Sequence, residues 1–185
     1  MIIQTPDELV DIVNEQDEVI ATAWRSQSKG RRYMRGVLAI IINSENKFCL
    51  FRKRGENTRW PFHVGLVGGG VQSGESYDEG VRREVLEEIN LDMHTYSWRQ
   101  LGLIAPHHIE YNEEHKNHYA NNFFKMIYEI RIDHAEIPYN PQDFDAYWWL
   151  SANEIYHGNP LGKFFPDLPW LIKHFYPHLL VERNG

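Results

Sequence analysis

Two hydrophobic rhythms divide this chain. Val81, Val85 and Ile89 recur every four residues, which at about 100° per residue lines up one packing stripe on a helix. Val37 to Ile42 is instead a continuous apolar run, suited to a central strand buried on both faces. Before it, Glu8 to Val13 and Val19 to Ala23 read as short strands, with Asn14-Glu15-Gln16-Asp17 as a hairpin turn between them. Residues 24–35 are polar and basic, a loop. Asn43 to Lys47 turns the chain, and Phe48 to Lys53 returns as a second strand. Val64 to Val67 is a brief strand leading into a glycine turn, and strand-like runs follow near 98–104 and 123–132. Tyr147 to Leu150 is a further short strand; Ser151 then caps a helix opening Ala152-Asn153-Glu154. The aromatic-rich stretch Phe164 to Leu180 reads as helical on either side of Pro177. Strands mixed with a few helices predict an α/β sandwich, a mixed sheet between helices. Neither a repeat nor a linker interrupts residues 1–185, so one domain is expected. It carries an N-terminal hairpin extension (about 1–30) and a C-terminal helical extension (about 160–185).

Composition narrows the class. Hydrophobic residues make up 42% and aromatics 14%, which argues against disorder. The net charge is −7 without a long Lys/Arg cluster, which disfavours nucleic acid as a partner. The short run Lys29, Arg31, Arg32 and Arg35 offers donors for a phosphate, though a solvated loop is the favoured reading. The single cysteine, Cys49, rules out an internal disulfide framework and reads as a buried structural thiol in a reducing compartment. With no signal-like start and no apolar run long enough to span a bilayer, the chain is expected to be cytoplasmic, with no membrane partner.

The chemistry lies in GGVQSGESYDEGVRREVLEEIN. A glycine-rich turn delivers the chain into a helix whose last turns carry Glu84, Glu87 and Glu88. Residues three and four apart are helix neighbours, so the three carboxylates are expected to share a face. Like charges there repel by roughly 0.2–0.5 kcal/mol per exposed pair, and by more when desolvated. Most glutamate pairs on helices are simply solvated. Here they flank the Val81/Val85/Ile89 stripe, at the rim of a packed surface where partly buried ligands belong. A hard dication, Mg²⁺ or Mn²⁺, would turn the repulsion into attraction. Arg83 is placed to pair with Glu87 one turn on.

Reading on from Gly69, the pattern is Gly, five residues, Glu75, seven residues, Arg83-Glu84, an apolar residue, any residue, Glu87-Glu88 and, past one position more, an apolar residue. This resembles the signature of the Nudix hydrolases, and Gly69 to Leu91 matches its spacing throughout. The departure is Asn90, where the family usually has glycine. That position ends the helix, and asparagine is the next most tolerant residue for a left-handed conformation. The resemblance implies a Nudix-type α/β/α sandwich with a mixed β-sheet between helices, and metal-dependent hydrolysis of a small-molecule diphosphate. It also implies Glu87 and Glu88 as metal ligands, Glu84 as a ligand or the base that takes the water proton, and the Gly68 carbonyl as a further ligand. Arg83 joins the three glutamates as the catalytic group. The N-terminal hairpin, Arg52, Lys53, Arg54 and Trp60-Pro61 are similar to the branch that contains isopentenyl-diphosphate isomerases. Those isomerases carry a catalytic cysteine immediately before the first signature glycine; here that place is Gly68, so hydrolysis is expected instead.

Substrate contacts are less sharply drawn. Gly69 and Glu75 stand at the mouth of the turn, where Glu75 either steadies the loop and pairs with Arg83 or serves as a simple first-turn acid. Arg52 and Arg54 alternate on a strand end and so share a face, either clamping a phosphate or solvating an edge. Residues 105–124 crowd His107, His108, Glu110, Glu113, Glu114, His115, His118 and Tyr119 into one segment. Glu113 or Glu114 could supply a base from it; zinc is disfavoured, because the histidine spacing matches no ligand motif. Trp148 and Trp149 offer stacking faces but read first as core. Asp143 and Asp145 occupy a segment often acidic in the family, yet Ala146 stands where an acidic residue is common, which weakens a role there. The expected activity is cleavage of a nucleoside diphosphate linked to another group; the alternative is a Nudix-fold protein that binds nucleotides without cutting them. A homodimer is compatible with the sequence.

Overall fold

Nine residues of one strand explain the centre of the molecule. Val37, Ala39 and Ile41 point to one side of strand β3 (Met34–Ile42) and Ile40 and Ile42 to the other, each at most 1% exposed. An apolar run without polar alternation is what a strand with both faces covered requires. The computed structural model describes residues 7–28, 33–55, 60–106, 122–134, 136–158 and 161–181. Strands β1 (Leu9–Val13) and β2 (Val19–Trp24) form the predicted hairpin as a separate two-stranded sheet. It rests on the start of β3 through Val10, Ile12 and Met34.

The seven-stranded main sheet adds β4 (Phe48–Lys53), β5 (Val64–Gly65), β6 (Val67–Gly70), β7 (Ser97–Ile104), β8 (Phe123–Arg131) and β9 (Phe144–Leu150). Strands β3 and β8 run parallel; the other pairings are antiparallel. Helix α1 (Tyr77–Ile89) covers one face, sealing a core with Val81, Val85 and Ile89 at 0% exposure. Short helices α2 (Ala152–Tyr156) and α3 (Leu168–Phe175) cover the other. The result is the α/β sandwich with a mixed sheet that the pattern predicts. Among the described residues no helix is long and apolar enough to cross a membrane.

Several boundaries shift for tertiary reasons. Met34 and Arg35 belong to β3 rather than to a loop over 24–35, because they pair with Phe123 and Phe124 of β8. Trp24 closes β2 opposite Leu9. The run 64–67 splits at Leu66 into β5 on β4 and β6 on β3. Strand β9 starts at Phe144, earlier than Tyr147, because its pairing with β4 extends to Lys53. Pro177 opens a 3₁₀ turn after α3.

Candidate active site

Strand β6 is Val-Gly-Gly-Gly, and each of its first two glycines has a steric reason. Gly68 has φ +148°, and a Cβ there would lie 2.1 Å from the Val37 carbonyl oxygen. A Cβ on Gly69 would lie 2.5 Å from the carboxylate of Glu84. The bare backbone therefore lets α1 bring its acids against the strand. Ser76 starts that helix: its hydroxyl accepts from the Glu79 N–H while Glu79 accepts from the Ser76 N–H, a reciprocal capping box. Asn90 ends it in the left-handed conformation, φ 51° and ψ 36°, the role expected of the residue that replaces glycine.

The three glutamates do not share one environment. Glu84 and Glu88, one turn apart, are buried at 8% and 7% exposure, whereas the Glu87 side chain is 59% exposed. The packing stripe is wide enough to take in positions 84 and 88 and leaves 87 on the outer edge. Burial, with repulsion from Glu88 added, raises the Glu84 carboxyl to about 7 against the opposing pull of Arg83. Burial likewise raises Glu88, and its bonds to Lys53 and to the Gly68 N–H oppose the rise.

Arg83 ties the loop to these acids. Its Nε and Nη2 donate to Glu75 Oε1 and Oε2 at 2.8 and 3.0 Å, a bidentate fork. Nη1 donates to Glu84 Oε1 at 2.8 Å and to Glu87 Oε2 at 3.3 Å, and Nη2 also reaches the Gly70 carbonyl at 2.8 Å. Glu75 is thus the loop-steadying partner of Arg83, and it accepts from the Gln72 N–H as well. Burial alone would raise Glu75, but the Arg83 and Gln72 bonds prevail and lower it. The Arg83 guanidinium is held charged far above its usual range, first by Glu75.

Lys53 is the functional candidate that strand alternation could have supplied and arginine counting obscured. It follows Cys49 and Phe51 on the α1 side of β4 and donates to Glu88 Oε1. Its ammonium also lies 4.4 Å from the centre of the Phe144 ring. The Gly68 N–H donates to Glu88 Oε2 at 2.9 Å. Residues 53 and 88 meet only through the tertiary fold. The same holds for Asp11 of β1, which accepts from Ser73 Oγ at 2.6 Å and from the Gly74 N–H at 3.2 Å, clasping the hairpin to the loop before α1.

The other sequence candidates disperse. Arg52 pairs with Asp145 at 2.6 Å and lies over the Trp148 ring, while Arg54 donates to the Pro141 carbonyl. The two arginines thus have separate partners within the protein. Trp149 packs at the edge of the α1-side core, Trp148 at that of the opposite one. Glu113, Glu114 and the histidines from 107 to 118 lie outside the described residues.

Among the described residues, no three His, Cys, Asp or Glu side chains stand close enough together to hold a metal ion as they are. The donor set nonetheless suits a hard dication. Two adjacent buried carboxylates carry more negative charge than their surroundings solvate, and the missing Gly69 side chain leaves room beside one of them. Lys53 and Arg83 supply the compensating charge in this arrangement. Binding an ion would require Lys53 to release Glu88 and the exposed Glu87 to swing inward.

The sequence profile of the NUDIX domain matches residues 32–171. An uncharacterized Nudix hydrolase from Nostoc sp. is 33% identical over 176 residues, 91% of this chain and 96% of that protein. A Nudix hydrolase from Deinococcus radiodurans is 33% identical over 151 residues, 80% and 82% of the two chains. The crystal structure of a D. radiodurans protein superposes with a TM-score of 0.77 at 31% identity, covering 91% of this chain and 99% of that one. The motif spacing, the acid-bearing helix laid on a glycine strand and these matches agree: the chain belongs to the Nudix hydrolase family.

Proposed function

We propose that the chain hydrolyses a phosphoanhydride bond in a small-molecule diphosphate, a nucleoside diphosphate linked to another group. Glu84, Glu87, Glu88 and the Gly68 carbonyl would hold the divalent cation, Mg²⁺ or Mn²⁺. One observation carries the reading: Glu84 and Glu88 are buried side by side against a strand stripped of side chains, a costly arrangement that a fold alone does not need. When bound, the cation supplies neutralisation of the diphosphate oxygens and acidification of the attacking water. Glu84 serves either as one of these ligands or as the base that takes the proton of the attacking water. Arg83 ties Glu84 to the loop through Glu75 and so holds that acid in position. Isomerase chemistry lacks its thiol: Gly68 stands in that place, and Cys49 is 1% exposed with its thiol pushed upward by burial.

A second reading, nucleotide binding without cleavage, is favoured by the ion pairs of Lys53 with Glu88 and of Arg83 with Glu84, which balance the acids without an ion. The two separate in an assay of phosphate or mononucleotide release from a diphosphate panel, with and without Mg²⁺. Hydrolysis predicts Mg²⁺-dependent release that falls by about a hundredfold or more in Glu88→Gln with the circular dichroism spectrum unchanged. Tight nucleotide binding with no turnover across the panel would falsify the hydrolase reading.

A further inference from the structure

Strand β2 reads Val-Ile-Ala-Thr-Ala-Trp from Val19 to Trp24, without a charge or a proline. Its partner β1 buries four of its five residues. β2 instead leaves Val19, Ile20 and Trp24 50%, 63% and 47% exposed, with Ala21 and Thr22 exposed beside them. Among the described residues β2 pairs only with β1, so its outer edge is open. The ladder shows which backbone groups lie on that edge. The Arg25 N–H donates to the Glu8 carbonyl, so the pairs Leu9–Trp24 and Asp11–Thr22, one and three steps further in, exchange no backbone bonds. The N–H and C=O groups of Thr22 and Trp24 therefore point away from β1. Natural edges are commonly blunted by lysine, proline or a covering loop. This stretch has none of the three, and its irregularity, between Ile12 and Val13, lies at the turn end of the hairpin.

We propose that this edge joins two copies of the chain, β2 pairing antiparallel with β2 about a two-fold axis at Thr22. A two-fold contact is self-complementary: whatever residue i meets on the partner, that residue meets i in return. With the axis at Thr22, Thr22 faces the partner's Thr22, Ile20 faces the partner's Trp24 and Ala21 faces the partner's Ala23. Threonine pairs and aromatic–β-branched pairs are favourable cross-strand neighbours. The charges select the same occupant. Glu18 precedes the apolar stretch and Arg25 follows it, so an antiparallel copy sets acid beside arginine at both ends, whereas an in-register parallel one sets like beside like. Among the described residues each of these side chains has one partner in its own hairpin, Asn14 for Glu18 and Glu8 for Arg25, and the contact adds a second. The pairing also closes, because it uses the open edge of each β2 and leaves none for a third copy. A six-residue strand falls well short of the roughly 20–30 residues a side of a standard interface. A groove of about 430 Å³ beside Ile20 and Ala21, walled by Ile12, Val13 and Tyr33, offers further apolar surface. The expected dimer is therefore weak and concentration-dependent.

Sedimentation velocity of the full chain over rising micromolar concentrations tests this. The wild type should pass from monomer to dimer and no further, while hydrogen exchange at the Thr22 and Trp24 amides slows with concentration. Thr22→Lys sets two ammonium groups against each other on the axis and should raise the dissociation constant about tenfold or more, with the circular dichroism spectrum unchanged. Glu18→Arg and Arg25→Glu should each weaken self-association. Their mixture should restore it, because the mixed dimer again puts opposite charges together at both ends. Arg25→Glu also meets Glu8 in its own chain; should it fail to fold, Thr22→Lys at its exposed position decides the matter. A wild type that stays monomeric, growth into larger oligomers, a dimer indifferent to Thr22→Lys, amide exchange that ignores concentration, or a mixture no tighter than its components would each overturn the assignment. Hydrolysis enters none of these readouts, so the dimer stands or falls apart from the proposed reaction.

Discussion

Glu84 is a carboxylate that the folded state prefers protonated. Its value of about 7 lies above the ordinary 4.5 because burial and Glu88 penalise the charge. The sign therefore opposes the usual salt-bridged acid. Below 4.5 both folded and unfolded chains carry the proton; between 4.5 and 7 only the unfolded chain gives it up, so stability falls as pH rises through that window, and above it the penalty is complete. At 1.36 kcal/mol per pKa unit the fall is about 3 kcal/mol, with Glu88 adding in the same direction. Thermal unfolding in a chelator should show this descent, and Glu84→Gln should flatten it; an unchanged slope in the variant would mean that another group sets it. The two glycines opposite predict an order as well. A methyl at Gly69 meets the movable end of Glu84, but at Gly68 it meets backbone in a left-handed conformation. Gly68→Ala should lower the melting temperature clearly more than Gly69→Ala, whose cost is about 1–3 kcal/mol. Equal losses would place the strain elsewhere.

At the scale of elements, α1 was legible because all its signals are local. The four-residue stripe fixes its face, the Asn90 cap its end, and the Glu75–Arg83 tie follows from loop and helix spacing within one motif. The hairpin was legible as two strands and a turn, but its task was not, because Asp11 and Ser73 are 62 residues apart and neither belongs to a periodic pattern. Ser73 N–H donates to the Leu9 carbonyl at 2.8 Å, and the Tyr77 hydroxyl donates to Asp17 at 3.0 Å. The hairpin thus grips both sides of the loop that enters α1. Asp11→Ala removes a charged acceptor from a serine hydroxyl and an amide, a loss of about 1–3 kcal/mol. Hydrogen exchange should quicken at residues 72–76 in that variant while the amides of β8 keep their protection. Uniform quickening across the sheet would make Asp11 a general stabiliser rather than a clasp.

Over the whole molecule, the parallel pairing of β3 with β8 and the entry of Lys53 into the acid pair are the features that the amino-acid pattern withheld. Both join segments separated by other elements. The consequence is a chain of net charge −7 in which the two buried acids of α1 are balanced by one lysine and one arginine. On the proposed reading a dication would compete with Lys53 for Glu88, so in the wild type part of its binding energy would go into breaking that pair. Lys53→Met leaves Glu88 buried and uncompensated, a loss of about 3–5 kcal/mol in a chelator. An ion held by these acids would bind only the folded state and so would stabilise it by mass action. In Lys53→Met it would meet a Glu88 freed of its ammonium, and the rise in melting temperature from chelator to saturating Mg²⁺ should be larger in that variant than in the wild type. Equal rises in the two proteins would mean that the ion does not bind at Glu88, because only there does removing the ammonium change what the ion has to displace.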